Sequence, residues 1–169
     1  MTAAMEGRAR VLGDDINTDY IITSRRKRES LDPQVLRQYI FEELDAGFAA
    51  TVQSGDLIVA GHNFGCGSAM EVAVTALAGA GIRAVLARSF ARTYYRNAVN
   101  NGLWPIVCDT RGIREGDRLR IETGCVRNLS NAQTIAIDPL PDVMREIIEA
   151  GGLAPYFRQY GGFRIGRPA

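Results

Sequence analysis

The stretch that decides the fold is LIVAGHNFGCGS, residues 57–68, in which a short apolar run is followed by a glycine-rich loop. The run Leu57–Ala60 has the length and composition of a buried strand, and the glycines after it end that strand. Ser68 and Glu71 have the Ser-x-x-Glu spacing of a capping box, which predicts a helix of small residues ending near Gly79–Gly81. A strand, loop and helix in this order are typical of an α/β fold.

The chain repeats this pattern on the C-terminal side. Ala84–Ala87 is predicted to be a second buried strand, and Ser89 to cap a helix that stops at Asn101 and Gly102. Pro105–Cys108 is the next predicted strand. The alternation of strands and helices favours a partly parallel sheet.

The N-terminal side supplies one strand and one helix. Arg8–Leu12 is predicted to be the first strand. Asp32 and Pro33 have the residue types of an N-cap and a first helical position. The helix that they open is expected to bury one face, made by Leu36, Ile40 and Leu44.

In the last third of the chain we predict short strands separated by Gly and Asn, followed by a helix at Pro141–Ala150. The tail from Tyr156 is aromatic and basic, and we expect it either to pack on a partner or to stay loose. We therefore predict an α/β fold with a mixed, partly parallel sheet, flanking helices and a small antiparallel patch. One domain is expected over residues 1–169, with a core at about 8–157 and a tail at 158–169. The short strands are Arg118–Glu122, Cys125–Leu129 and Thr134–Ile137.

Composition excludes several classes of protein. Of 169 residues 46% are hydrophobic and the net charge is +1, so no global field favours nucleic acid. No apolar run approaches the roughly 20 residues of a membrane span, and the N-terminus has no apolar signal region, so a soluble cytoplasmic protein is expected. Three widely separated cysteines suit a reducing compartment, and with one histidine they are too few to hold zinc or a cluster, so this chain is expected to bind no metal.

The loop at residues 61–68 is the first candidate site. A strand-to-helix junction presents free backbone N–H groups and the positive end of a helix dipole, which favour an anion. Ser68 at this junction is either an activated base or only the helix cap. His62 is expected to have either a structural or a catalytic role. Cys66 is either a packing residue or a thiol with a lowered pKa.

Two charged segments are further candidates. Residues 13–19, GDDINTD, carry three carboxylates that either bind a metal, orient a catalytic group or form a solvated turn. Residues 25–28, RRKR, read as a nucleic-acid patch, as a loop that brings guanidinium groups to a carboxylated substrate, or as a solvated basic turn.

Together these segments resemble the small, swivelling-domain subunits of isopropylmalate isomerase and homoaconitase, relatives of aconitase. Residues 13–22 are similar to the family opening GDnIdTDxII, and residues 61–68 to its GxNFGCGS loop. Residues 89–103 resemble its SFAriFyRN…NNGL helix, and residues 147–153 its C-terminal helix and stop. The four matches occur in order over residues 10 to 160.

The resemblance implies a swivelling β/β/α domain that closes over a large subunit carrying a [4Fe-4S] cluster, as a heterodimer or heterotetramer. The implied reaction is dehydration and rehydration of a carboxylated hydroxy acid, with 3-isopropylmalate and leucine biosynthesis as the default. By motif position, Ser68 removes the carbon-bound proton and Asp19 is an active-site carboxylate. Arg28 falls near the loop arginine that sets substrate choice. The same motifs place the remaining substrate-binding residues at Thr18, Gly67, Ala69 and Met70.

One departure bears on the substrate. The family normally continues Gly-Ser-Ser-Arg-Glu-His-Ala, and here residues 67–73 read GSAMEVA, so Met70 stands in place of the arginine. That arginine ordinarily holds a substrate carboxylate, and a charge-assisted hydrogen bond of this kind is worth roughly 1.5–3 kcal/mol. The alternatives are a paralogous subunit for a different hydroxy acid and a degenerate subunit that only regulates a partner.

Overall fold

Seven strands form one mixed sheet, in the order β4-β3-β2-β1-β5-β6-β7 once the strands are numbered along the chain. The structure is a computed structural model and describes residues 5–164. The strands are β1 (Met5–Val11), β2 (Leu57–Val59), β3 (Ala84–Ala87), β4 (Trp104–Val107), β5 (Arg118–Glu122), β6 (Cys125–Asn128) and β7 (Gln133–Ala136).

Strands β1 to β4 are parallel, and the central strands β2 and β3 are buried on both faces. In β2, Leu57 and Val59 face one hydrophobic core while Ile58 faces the other, because successive side chains of a strand point to opposite sides. Burial on both faces explains why these strands read as continuous apolar runs in the sequence. The carboxyl ends of β1, β2 and β3 consequently lie at one edge of the sheet.

Strands β5 to β7 are antiparallel, as predicted, but they are not a separate patch. Met5 of β1 pairs with Ile121 of β5, so that β1 joins the parallel and antiparallel halves. A bridge between Cys108 and Ile137, just after the edge strands β4 and β7, brings the two edges of the sheet together. The sheet therefore curls around one core and carries the second core on its outer face.

The sequence predicts four helices, and residues 5–164 form eight α-helices, several of them only one turn long. Asp32 caps its helix as predicted, since its side chain accepts a hydrogen bond from the N–H of Gln34. The prediction that this helix continues to Leu44 is wrong. The α-helix gives way to one 3₁₀ turn (Arg37–Tyr39), and Leu44 is 44% exposed. The helices are α1 (Thr18–Ile21), α2 (Ser24–Glu29), α3 (Pro33–Leu36), α4 (Phe48–Thr51), α5 (Val72–Gly79), α6 (Arg92–Asn100), α7 (Asp142–Glu149) and α8 (Leu153–Tyr160).

The C-terminal segment is largely ordered onto the domain. Helix α8 follows the predicted stop at Gly151 and Gly152, and Tyr156 on this helix is fully buried. The Tyr156 hydroxyl contacts Glu146 of α7 at 3.2 Å. The end of the predicted tail, residues 165–169, lies outside the described residues.

Candidate functional site

The loop at residues 61–68 and the acidic segment at residues 13–19 lie side by side. They continue the parallel pairing of β1 and β2 beyond the ends of those strands. The N–H of Gly65 donates to the Ile16 carbonyl at 2.8 Å, and the N–H of Thr18 donates to the Cys66 carbonyl at 2.8 Å. Two segments that the sequence offered as separate candidates are therefore one structural unit.

Within this unit, the side chain of Thr18 holds the backbone of Ser68. Its hydroxyl donates to the Ser68 carbonyl oxygen at 2.9 Å, and the Thr18 residue is only 2% exposed. Gly67 has a φ of +93°, and an added Cβ there would collide with the side chain of Asn17. The backbone next to Ser68 is thus fixed by contacts from a segment about fifty residues earlier in the chain.

The capping function predicted for Ser68 is wrong. Helix α5 begins at Val72, Glu71 occupies the N-cap position with helical dihedral angles, and no side chain caps the helix. Ser68 itself is exposed at the edge of the sheet. Its side chain is therefore available to a ligand and is not committed to the helix.

The cap predicted at Ser89 is also wrong, because α6 begins at Arg92. The Ser89 hydroxyl instead accepts a hydrogen bond from the N–H of Asn63 at 2.8 Å. Ser89 therefore holds the middle of the candidate loop against the end of β3.

The three carboxylates at residues 14–19 point to three different partners. Asp14 accepts hydrogen bonds from the N–H of His62 at 2.6 Å and from Arg88 at 2.8 Å. The His62 N–H and, secondarily, the Arg88 guanidinium hold the pKa of this carboxyl below its usual range. Asp15 accepts from the side-chain amide of Asn63 at 2.8 Å.

The Asp19 carboxylate contacts Ser24, the first residue of α2. It accepts hydrogen bonds from the hydroxyl and the N–H of Ser24, at 2.8 and 3.2 Å. The Ser24 hydroxyl also lies 3.7 Å from the Met70 sulfur. Through Ser24, Asp19 is thus in contact with the segment that follows Ser68. Sequence reasoning missed Ser24, although its position after the N-cap Thr23 of α2 was a readable signal.

The basic run at residues 25–28 forms helix α2 rather than a loop or a turn. Arg26 anchors the helix, because its guanidinium makes two hydrogen bonds of 2.9 Å to Glu42 and lies 3.6 Å from the centre of the Tyr39 ring. Arg28 is exposed and lies four residues after Ser24, on the same helical face. Both line a broad, shallow recess.

Met70 is almost completely buried, at 4% exposure, beneath the Ser24–Asp19 pair. Gly67, Ser68 and Ala69 are all exposed in front of it. The structure therefore brings Thr18, Asp19, Ser68 and Met70 together, and it places Arg28 one helical turn away on α2.

Cys66 is not an activated thiol. Burial raises its pKa, and the nearby Asp15 carboxylate raises it further. The predicted helix N-terminus that would have lowered the pKa begins six residues later, at Val72.

Within residues 5–164, no group of three or more His, Cys, Asp or Glu side chains is placed to hold a metal ion. Cys66, Cys108 and Cys125 are unpaired. The described part of this chain does not fit an iron–sulfur cluster. No helix in the same range is both long and apolar enough to cross a membrane.

Comparison with known proteins agrees with this geometry. Residues 22–111 match the family model described as the aconitase C-terminal domain. The chain is 45% identical to the 3-isopropylmalate dehydratase small subunit 1 of Methanopyrus kandleri, over 95% of this chain and 96% of that protein. The chain belongs to the family of 3-isopropylmalate dehydratase small subunits.

Two further relatives are similar over nearly their whole length. The isopropylmalate/citramalate isomerase small subunit of Methanocaldococcus jannaschii is 42% identical, over 94% of this chain and 96% of that protein. The crystal structure of 3-isopropylmalate dehydratase (leuD) from the same organism superposes with a TM-score of 0.90 at 41% identity, covering 94% of this chain and 96% of that one. The swivelling-domain fold expected from the sequence motifs is thereby confirmed.

Proposed function

We propose that this chain is the proton-abstracting half of a hydro-lyase that interconverts 3-isopropylmalate and 2-isopropylmalate in leucine biosynthesis. The observation that carries the proposal is the exposed Ser68, on backbone fixed by Thr18, at the sheet edge where residues 13–19 and 61–68 pair. A site open on one side in this way requires a second protein to enclose a substrate. The names of the relatives, all small subunits, support a large subunit as that protein.

In this proposal Ser68 takes up the proton from the substrate carbon during dehydration and returns a proton during rehydration. Ser68 does this as an alkoxide, which becomes its hydroxyl on taking the proton and which forms only where positive charge or N–H donors stabilise it. Asp19 orients the α2 end of the site through Ser24, and Arg28 supplies a guanidinium for a substrate carboxylate. Gly67 and Ala69 form the exposed surface that the substrate contacts, and Thr18 and Met70 support it from beneath.

The Lewis-acid chemistry at the substrate hydroxyl is supplied by a [4Fe-4S] cluster that we place on the large subunit. The complex is proposed to be a heterodimer or heterotetramer in the cytoplasm. The domain is proposed to move as one swivelling unit, with a core at about 8–157.

The test is the Ser68→Ala variant, assayed with an excess of the reconstituted large subunit. Because the Ser68 side chain is exposed and caps no helix, the thermal midpoint of the isolated chain should stay within about 1 °C of the original. Turnover of 3-isopropylmalate should fall by at least about a hundredfold, the low end of a general-base contribution. Unchanged turnover would favour a regulatory subunit and contradict the proposal.

A second candidate substrate follows from Met70, an apolar residue buried where the sequence motif leads one to expect a cation. A less carboxylated or more apolar hydroxy acid would suit a site that lacks this cation. Assays of 3-isopropylmalate beside citramalate and related hydroxy acids separate the two possibilities. Turnover of a related acid without turnover of 3-isopropylmalate would replace the default substrate while leaving the role of Ser68 intact.

A further inference from the structure

A second cavity, of about 340 Å³, opens at the same edge of the sheet as Ser68. Arg88 and Ser89 follow the carboxyl end of β3, and Val107 is the last residue of β4. The hydrogen bond from Asn63 to Ser89 joins this cavity to the candidate loop. The cavity is lined by Arg88, Ser89, Phe90, Arg92, Tyr95, Arg96 and Val107.

The charge of the cavity is one-sided, since three arginines and no acidic residue line it. Arg92 and Arg96 are exposed, lie four residues apart on one face of α6, and form no ion pair with any residue from 5 to 164. The nearby acid Asp109 is already engaged by Arg111, through contacts of 2.7 and 2.9 Å. Among residues 5–164, only Arg88 of the three arginines is paired with a carboxylate, that of Asp14.

Two sets of hydrogen-bond donors in the cavity also lack acceptors. The Arg88 Nε is buried and has no partner among the described residues, although its terminal nitrogen binds Asp14. A buried donor without an acceptor is energetically unfavourable. The first turn of α6 has no side-chain cap, so its free N–H groups add to the positive potential.

The wall of the cavity suits the aliphatic part of an acidic side chain. The rings of Phe90 and Tyr95 meet edge to face with their centres 5.9 Å apart, and Val107 completes the apolar surface. Aromatic residues and arginines in such pockets are the residue types that dominate binding at protein interfaces.

We propose that this cavity receives a Glu or Asp side chain from the large subunit. The inference rests on the proposed function, because a partner that covers Ser68 at this edge of the sheet also faces the cavity. The acidic side chain would pair with Arg92 and Arg96 at the rim and accept from Arg88 deeper in. The cavity is thus a docking point beside the site where the chemistry takes place.

The experiment measures the binding of the purified large subunit to the double variant Arg92→Glu/Arg96→Glu, at low and high salt. Charge reversal at both positions should weaken binding at least tenfold at low salt, and the salt dependence seen with the original chain should largely disappear. The matched control is Arg83→Glu. Arg83 is exposed and precedes β3 at the opposite edge of the sheet, so binding should not change. Circular dichroism and thermal midpoint establish that both variants are folded.

Equal binding of the original chain and the double variant would overturn the inference. So would normal binding with a raised KM, because the cavity would then hold a carboxylate of the substrate rather than of the partner. Failure of the proposed function gives a different result, a stable complex of the original chain that turns over no hydroxy acid.

Discussion

The hydroxyl of Thr18 offers a sharp test of whether the position of Ser68 matters to the reaction. The Thr18→Val variant keeps the shape of the side chain and removes the 2.9 Å hydrogen bond to the Ser68 carbonyl. A hydrogen bond of this kind contributes about 1 kcal/mol to stability. For a chain of 169 residues this corresponds to a thermal midpoint lower by roughly 2–4 °C.

The same fold contains a matched control. Thr110 is also buried, at 7% exposure, and its hydroxyl donates to the Ala60 carbonyl at 2.7 Å. The Thr110→Val variant should therefore lose a similar amount of stability. Ala60 lies eight residues before Ser68, at the end of the strand that leads into the loop, so the backbone of Ser68 keeps its own anchor.

Catalysis should separate the two variants. If the hydrogen bond from Thr18 holds Ser68 in the position that the transition state needs, its loss raises the activation free energy by about 1 kcal/mol. That increase lowers kcat roughly fivefold. Thr110→Val should stay within about twofold of the original. The assay is steady-state turnover of 3-isopropylmalate at saturating large subunit, with urea unfolding of each isolated chain. Equal loss of kcat in both variants, or none in Thr18→Val, would refute the reasoning.

Two stability predictions concern the scaffold. Burial alone would raise the pKa of Asp56, but hydrogen bonds from Arg8 and Gln53 bring this pKa below its usual value. The ionised Asp56 therefore stabilises the fold fully above the unfolded pKa of about 4. This stabilisation is lost as the pH falls through the lower folded pKa. Asp56→Asn should lower the free energy of unfolding by about 3 kcal/mol at pH 7, because it breaks the pair between the buried Asp56 and Arg8. Urea unfolding at pH 7 and pH 3 should show a smaller loss of stability toward acid than in the original chain. An unchanged pH profile would contradict this prediction. Gly65→Ala should lower the free energy of unfolding by more than about 2 kcal/mol, because a Cβ at φ +79° would overlap the Tyr94 ring. The control Gly116→Ala, at φ +84° in open space, should lower it by only about 1 kcal/mol. Equal losses in urea unfolding would contradict the steric explanation.

The family could be predicted from the sequence, because its motifs are local patterns of residues. Apolar runs at residues 57–60 and 84–87 identify strands buried on both faces, and glycines at 65 and 67 mark backbone that only glycine adopts easily. The motif positions brought Thr18, Asp19 and Ser68 into one candidate site. The structure places these residues in one paired unit.

The local predictions that failed did so where a distant segment offered a better partner. The helix after Asp32 ends early because Phe41 takes a φ of +58° and its N–H donates to the Ile21 carbonyl. Local spacing at Leu36, Ile40 and Leu44 cannot reveal a bond to a residue twenty positions earlier. The closure of the sheet through Cys108 and Ile137 depends on tertiary contacts in the same way.

The loop at residues 57–68 shows both sides of this division. Its sequence determined a strand, a glycine-rich loop and a serine near the start of a helix. Only the tertiary structure decided where that serine lies, because the backbone at Ser68 either caps the helix or accepts the hydrogen bond from Thr18. The bond from Thr18 fixes the Ser68 carbonyl, the helix begins four residues later, and the Ser68 hydroxyl remains exposed at the edge of the sheet.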